Sequence, residues 1–98
     1  MVTDIACDAL RAGKVLELKY DGFSRCVEVH AVGISKAGNP VMCCWQVRGG
    51  STHNEPTGWK LMRLDEVWSA SVSAEASQAP RQGYRRGDKR MTRITCEL

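Results

Sequence analysis

No apolar run in this chain approaches the roughly 20 residues that a membrane-spanning helix requires. Its first residues, Asp4 and Asp8 among them, lack the basic-then-apolar order of a secretory signal. A cytoplasmic location is the expectation. There is no Cys-x-x-Cys pair, and His30 and His53 stand in different segments, so a four-ligand zinc site finds little support. The five cysteines, Cys7, Cys26, Cys43, Cys44 and Cys96, are odd in number and irregularly spaced. They read as reduced, small core residues rather than as a disulfide framework. On a strand, Cys43 and Cys44 would point their sulfurs to opposite faces and would not share one ion. No Gly-rich phosphate loop, nucleophile elbow or paired-carboxylate motif is present, and Asp65-Glu66 sit side by side where capping or solvating a turn is their expected role. Neither catalysis nor a metal nor a cofactor is expected.

What is present suffices for one domain. With 98 residues, 43% of them hydrophobic, the chain is near the size at which a single core holds without metal or disulfide staples. Its charge is unevenly spread. Residues 1–79 hold eight Lys/Arg and nine Asp/Glu, whereas residues 80–98 hold six Lys/Arg and two Asp/Glu, so the whole net charge of +3 comes from the C-terminal end. Such asymmetry fits contact with an acidic partner, and equally a solubilising tail.

Thr3 is placed to cap a helix of about ten residues with Ile5, Ala6, Ala9 and Leu10 on one face and Gly13 as its stop. From Lys14 the apolar period falls to two. Strands are expected from Lys14 to Tyr20, Arg25 to Val32, Val41 to Arg48, Gly58 to Leu64 and Val67 to Val72, with a hairpin turn at Asp21-Gly22 and a second turn at residues 36–40. In the second strand Val27, Val29 and Ala31 form a core row, while Glu28 and His30 belong to a partly wet one. Residues 49–57 read as a flexible surface loop, in which His53 is a solvated side chain more readily than a proton carrier. Residues 74–80 have linker composition, and residues 81–90 read as a mobile basic segment before a weak alternation over Met91 to Cys96 that suits an edge strand. The expected fold is mainly β: a small five-stranded SH3-like or Sm-like barrel with one short N-terminal helix over residues 1–73, then a linker and basic tail over residues 74–98.

The order of residues resembles the WYL domain family. The resemblance rests on Ala9-Leu10, the strand Val15-Leu16-Glu17-Leu18-Lys19-Tyr20 ending in Asp21-Gly22, the run Ser24 to Val29, a turn holding Gly38, and Lys60-Leu61-Met62-Arg63-Leu64-Asp65-Glu66-Val67. It covers about residues 5–73, with Arg63-Leu64-Asp65 the best-matched part. The signature Trp-Tyr-Leu is absent, with Pro40-Val41-Met42 at its place, and Glu66 stands where a base is common. The resemblance implies an Sm-like or SH3-like barrel in a bacterial or phage-related regulator that senses a nucleotide or nucleic acid. It also implies Arg25, Lys60 and Arg63 as anion contacts.

A guanidinium offers planar donors suited to phosphate, and an aromatic face can stack a base. Trp45 and Trp68 read as core residues, together with Leu61, whereas Trp59 is divided between core and surface. Lys60 and Arg63, three apart on a strand, would face opposite sides. In the tail, Tyr84 lies among Arg81, Arg85, Arg86, Lys89, Arg90 and Arg93, a mixture suited to phosphate-backbone contact with occasional stacking. The leading expectation is a non-enzymatic regulatory or sensing module for a nucleotide or nucleic-acid anion, with a role in transcription regulation. The alternative is a protein-interaction adaptor or homo-oligomerisation module that uses an exposed sheet edge or apolar rim.

Overall fold

The four-residue spacing of small and apolar side chains near the N-terminus produces helix α1, Val2–Ala12, which buries Ala6, Cys7, Ala9 and Leu10. Thr3 lies within the helix rather than at its cap; Met1 takes the cap position without a side-chain bond. Gly13 ends the helix at φ 65°, in the left-handed region that glycine adopts without a Cβ penalty, and donates its N–H to the Leu10 carbonyl at 3.2 Å. A computed structural model describes all 98 residues.

The chain then forms β1 (Lys14–Tyr20), β2 (Phe23–Ser35), β3 (Pro40–Gly49), β4 (Gly58–Arg63), a 3-10 turn at Leu64–Glu66, β5 (Trp68–Ala76) and β6 (Met91–Glu97). Asp21 and Gly22 both take positive φ, 51° and 78°, as a two-residue hairpin requires. The fold is mainly β, an antiparallel six-stranded sheet ordered β4-β3-β2-β1-β5, with β6 pairing with β2 off that path. Hydrogen bonding does not close it. At the β2–β6 crossing the Gly33 Cα lies so near the Arg93 carbonyl that a Cβ there would collide with it.

β4 and β5 occupy opposite ends of the five-strand path, which in a flat sheet would put them about 19 Å apart. The link from Arg63 to Trp68, one 3-10 turn and two steps, spans only about 13 Å. The sheet is therefore strongly curled, and register shifts between Cys26/Val27 and Val29/Ala31 supply bends in its long β2.

α1 covers one face, where Leu16, Leu18, Val27, Val29, Met42 and Met62 join the main core. The other face carries Val41 and Cys43 of β3, Ala31 of β2 and Met91 of β6, with Tyr84 packed against them. Two corrections to the apolar reading concern the 58–68 stretch. Leu61 is 39% exposed and Trp68 71% exposed, because Leu61 points away from the α1 side and Trp68 opens an edge strand with little packed over it. A third concerns the cysteines: Cys7 of α1 is disulfide-bonded to Cys96 of β6, and Cys26, Cys43 and Cys44 remain free. Sequence spacing did not foretell this pair, since helix and last strand meet only through the fold. No helix is long and apolar enough to cross a membrane.

Candidate functional site

Two polar side chains on β2, Glu28 and His30, lie fully buried on the face opposite α1. They are dry because the C-terminal segment crosses them. Glu28 accepts from the Gln78 N–H at 2.7 Å and, through its two oxygens, from Arg81 Nε and Nη2 at 2.6 and 3.2 Å. The Arg81 guanidinium also lies 5.4 Å above the Trp45 ring. His30 Nδ1 sits 2.9 Å from the Glu28 carbonyl and Nε2 accepts the Arg81 N–H at 2.9 Å, an arrangement that selects the neutral ring protonated at Nδ1. Burial holds the His30 pKa below its ordinary 6.5, outweighing the Glu28 carbonyl and carboxylate. The segment expected to be a mobile tail thus follows a defined path, and Gln78 and Arg81 fasten its start.

Beyond Arg81 the segment runs beside β4 and encloses a cleft of about 580 Å³. Trp59 and Tyr84 both pack against buried His30, with ring centroids 4.7 and 5.1 Å from it. Trp59 is 38% exposed and rests edge-on against Trp45 at 5.4 Å. Gly83, at φ 96°, brings the backbone beside this indole: a Cβ there would lie 3.6 Å from Trp59 Nε1. The Tyr84 hydroxyl donates to the Leu98 carbonyl at 3.4 Å. Cys43 lines the same cleft, and burial pushes its thiol up, so it stays protonated.

Four exposed cations of the segment line the cleft, and their partners differ. Arg90 forms two bonds to Asp88, at 3.0 and 2.7 Å, which hold that carboxyl below its usual range. Arg86 pairs with Glu97 at 3.0 Å. Arg85 and Lys89 have no carboxylate within 4 Å. The cleft therefore offers two uncompensated cations beside two partly exposed aromatic faces, which is the chemistry of contact with a phosphate-bearing aromatic ligand.

The residues expected to act divide into three places. Trp59 joins Tyr84, Arg85, Arg86, Lys89 and Arg90 around the cleft, uniting one strand residue with the basic segment. Lys60 borders the cleft too, but its ammonium lies on the far side of β4, 3.3 Å from Ser51 Oγ and 3.8 Å from Glu55. Arg25 is 4% exposed and belongs to a separate hollow with Lys60, while Arg63 lines neither cavity and is bonded by Asp65 at 3.1 and 2.6 Å with Glu66 at 3.7 Å. Arg25, Trp59 and Arg63 do not share one exposed face. Glu28 and His30 are not among the expected site residues, and Arg81, expected as one more phosphate-contacting cation of the tail, is instead bonded to Glu28. The available signal was an acid and a histidine in an otherwise apolar strand, which reads as a wet face until its cover is known.

No group of three His, Cys, Asp or Glu side chains is placed to hold a metal ion. Comparisons with protein-family models, with curated proteins and with solved structures find no match for this chain.

Proposed function

We propose that the protein is a non-enzymatic binding module whose cleft between β4 and the C-terminal segment takes a nucleotide or a single nucleic-acid strand. The observation that carries this reading is the convergence of Trp59 and Tyr84 with the unpaired Arg85 and Lys89 around one cavity. Stacking on an aromatic face contributes about 1–3 kcal/mol per base and tolerates any base, while the cations follow the phosphates. A cleft of about 580 Å³ falls within the roughly 300–1,000 Å³ usual for small-ligand sites. Arg86 is held by Glu97 of β6 and Arg90 by Asp88 of its own segment, and a phosphate can exchange for those partners.

An SH3-like or Sm-like barrel, as in the WYL domain family, is the finer architecture proposed. Its support is the strong curl demanded by the short β4–β5 link, together with the resemblance over residues 5–73. A part in transcription regulation rests on that resemblance alone. Fluorescence titration with nucleoside monophosphates and short single-stranded oligonucleotides tests the binding role. Quenching that saturates and is lost in Trp59→Leu supports it, and an unchanged signal across both ligand sets rejects it.

The adaptor reading has one observation in its favour. Trp68, 71% exposed, and Val72, 40% exposed, lie on the edge strand β5, which has one free side. Light scattering separates the readings: a dimer broken by Trp68→Ser, indifferent to nucleotides, favours the adaptor.

A further inference from the structure

The start of the basic segment is held down by a patch that belongs to the sheet. Glu28 of β2 stands opposite Trp45 of β3, and Trp45 stands opposite Trp59 of β4, so an acid and two indoles form a row across three paired strands. His30, two residues further along β2, packs against Trp59. The strand ladder places all four, and residues 77–90, which form no strand, add nothing to it. We propose that this patch is a docking site for an arginine-bearing peptide of a partner protein, occupied in cis by the chain's own residues 78–81.

The cis occupant shows what the patch recognises. Arg81 meets both Glu28 oxygens through Nε and Nη2, at 2.6 and 3.2 Å, and its guanidinium lies 5.4 Å from the Trp45 ring centre. A planar fork of donors with a ring face against it suits a guanidinium and not the rounded ammonium of a lysine. The other two contacts are to main chain. Glu28 accepts from the Gln78 N–H and His30 Nε2 from the Arg81 N–H, donors that peptides of many sequences present at that spacing. The Gln78 side chain itself is exposed. One arginine and a short stretch of backbone are therefore what the patch reads.

Charge complementarity says what kind of partner fits. The Glu28 side chain is 1% exposed, and Arg81 is its only cationic partner within 4 Å. Without a guanidinium, a carboxylate stays buried among aromatic rings with no counter-charge, a costly state. An apolar residue at position 28 would hold a purely structural strap without that demand. The sheet demands an arginine, and the chain that supplies it is exchangeable.

Exchange leaves the sheet intact. β2 keeps its pairing with β3, and beyond Arg81 the segment is still tied by the Tyr84 hydroxyl to Leu98 and by Arg86 and the Gly87 N–H to Glu97. A partner's arginine at Glu28 frees the segment's start and loosens the approach of Tyr84 to the cleft. The inference stands whether or not the cleft takes a nucleotide.

The test is titration of the capped peptide Ser-Gln-Ala-Pro-Arg-Gln, the sequence of residues 77–82, into full-length Arg81→Ala, read by the indole N–H shifts of Trp45 and Trp59. If that variant does not fold, Arg81→Lys, which keeps a cation over Glu28, takes its place. Saturable shifts at both indoles are expected. The same peptide with lysine in place of arginine is expected to bind about tenfold more weakly, and so is the arginine peptide to a chain that also carries Glu28→Gln. Unsubstituted protein is expected to bind at least about tenfold more weakly than the variant, since its tethered Arg81 competes at an effective concentration of about millimolar. No saturable shift in the variant, equal affinity for the lysine peptide, affinity unchanged by Glu28→Gln, or equal binding by the unsubstituted chain overturns the inference.

Discussion

Arg81 grips Glu28 through both oxygens of the carboxylate, and this pair, one-quarter exposed on the arginine side and 1% on the glutamate side, fastens the basic segment over the β2 face. It anchors the start of the segment that brings Tyr84, Arg85 and Lys89 to the cleft. Glu28→Ala is expected to lower the melting temperature by more than about 5 °C, because the carboxylate's three donors lose their acceptor together. Hydrogen exchange of residues 83–90 is expected to accelerate more than that of β1 and β3. Uniform acceleration would mean that the segment is not separately fastened.

His30 predicts how stability depends on pH. Its folded pKa lies below the unfolded 6.5, so between the two values the unfolded chain binds the extra proton. The contribution is complete above pH 6.5 and is lost as pH falls toward the folded value, at up to about 1.4 kcal/mol per pH unit. Protonating Nε2 also ends its role as acceptor for the Arg81 N–H. Urea unfolding at pH 7.5 and 5.5 checks this, and His30→Gln is expected to flatten the difference. A stability indifferent to pH over that interval would contradict it.

The Cys7–Cys96 bond joins residues 89 apart in sequence, nearly the whole chain. Chain-entropy reasoning gives such a loop a stabilisation of about 4–5 kcal/mol. Denatured, unreduced protein should therefore show three reactive thiols, Cys26, Cys43 and Cys44, and reduction should shift the urea midpoint sharply downward. Five reactive thiols with an unchanged midpoint would restore the reading of fully reduced cysteines. The count also bears on the cytoplasmic expectation, since structural disulfides persist mainly in oxidising compartments.

Strands were legible where apolar alternation was strong. β1, β3 and the hairpin at Asp21-Gly22 form where two-residue periodicity and turn chemistry placed them, and Gly13 stops α1. β5 runs on to Ala76, through residues whose small, polar composition resembled a linker, because pairing with β1 supplies backbone bonds that composition does not register. The separate strand and tail candidates gave no sign that they would line one cleft. That outcome depends on Glu28 and His30 being covered by Gln78 and Arg81 some fifty residues later. Arg25 and Arg63 show the converse: a basic residue type was legible, but its partners Gln46 and Asp65 were set by register and turn.

Trp68 offers a plain contrast with Trp59. At 71% exposure it has little packing to lose, so Trp68→Ser is expected to change stability by no more than about 0.5 kcal/mol. Chemical denaturation reads the result directly. A loss of several kcal/mol would return Trp68 to the core.

The central claim is that Trp59, Tyr84, Arg85 and Lys89 form one binding surface, and backbone amide mapping with a short single-stranded oligonucleotide at two salt concentrations addresses it most directly. The expected shifts cluster at the Trp59 indole and residues 83–90. The expected affinity falls with salt at a logarithmic slope of about −0.7 per phosphate contacted, with a shallower slope in Arg85→Gln/Lys89→Gln. Shifts spread evenly over the surface, or a slope unaltered by that double substitution, would contradict the account.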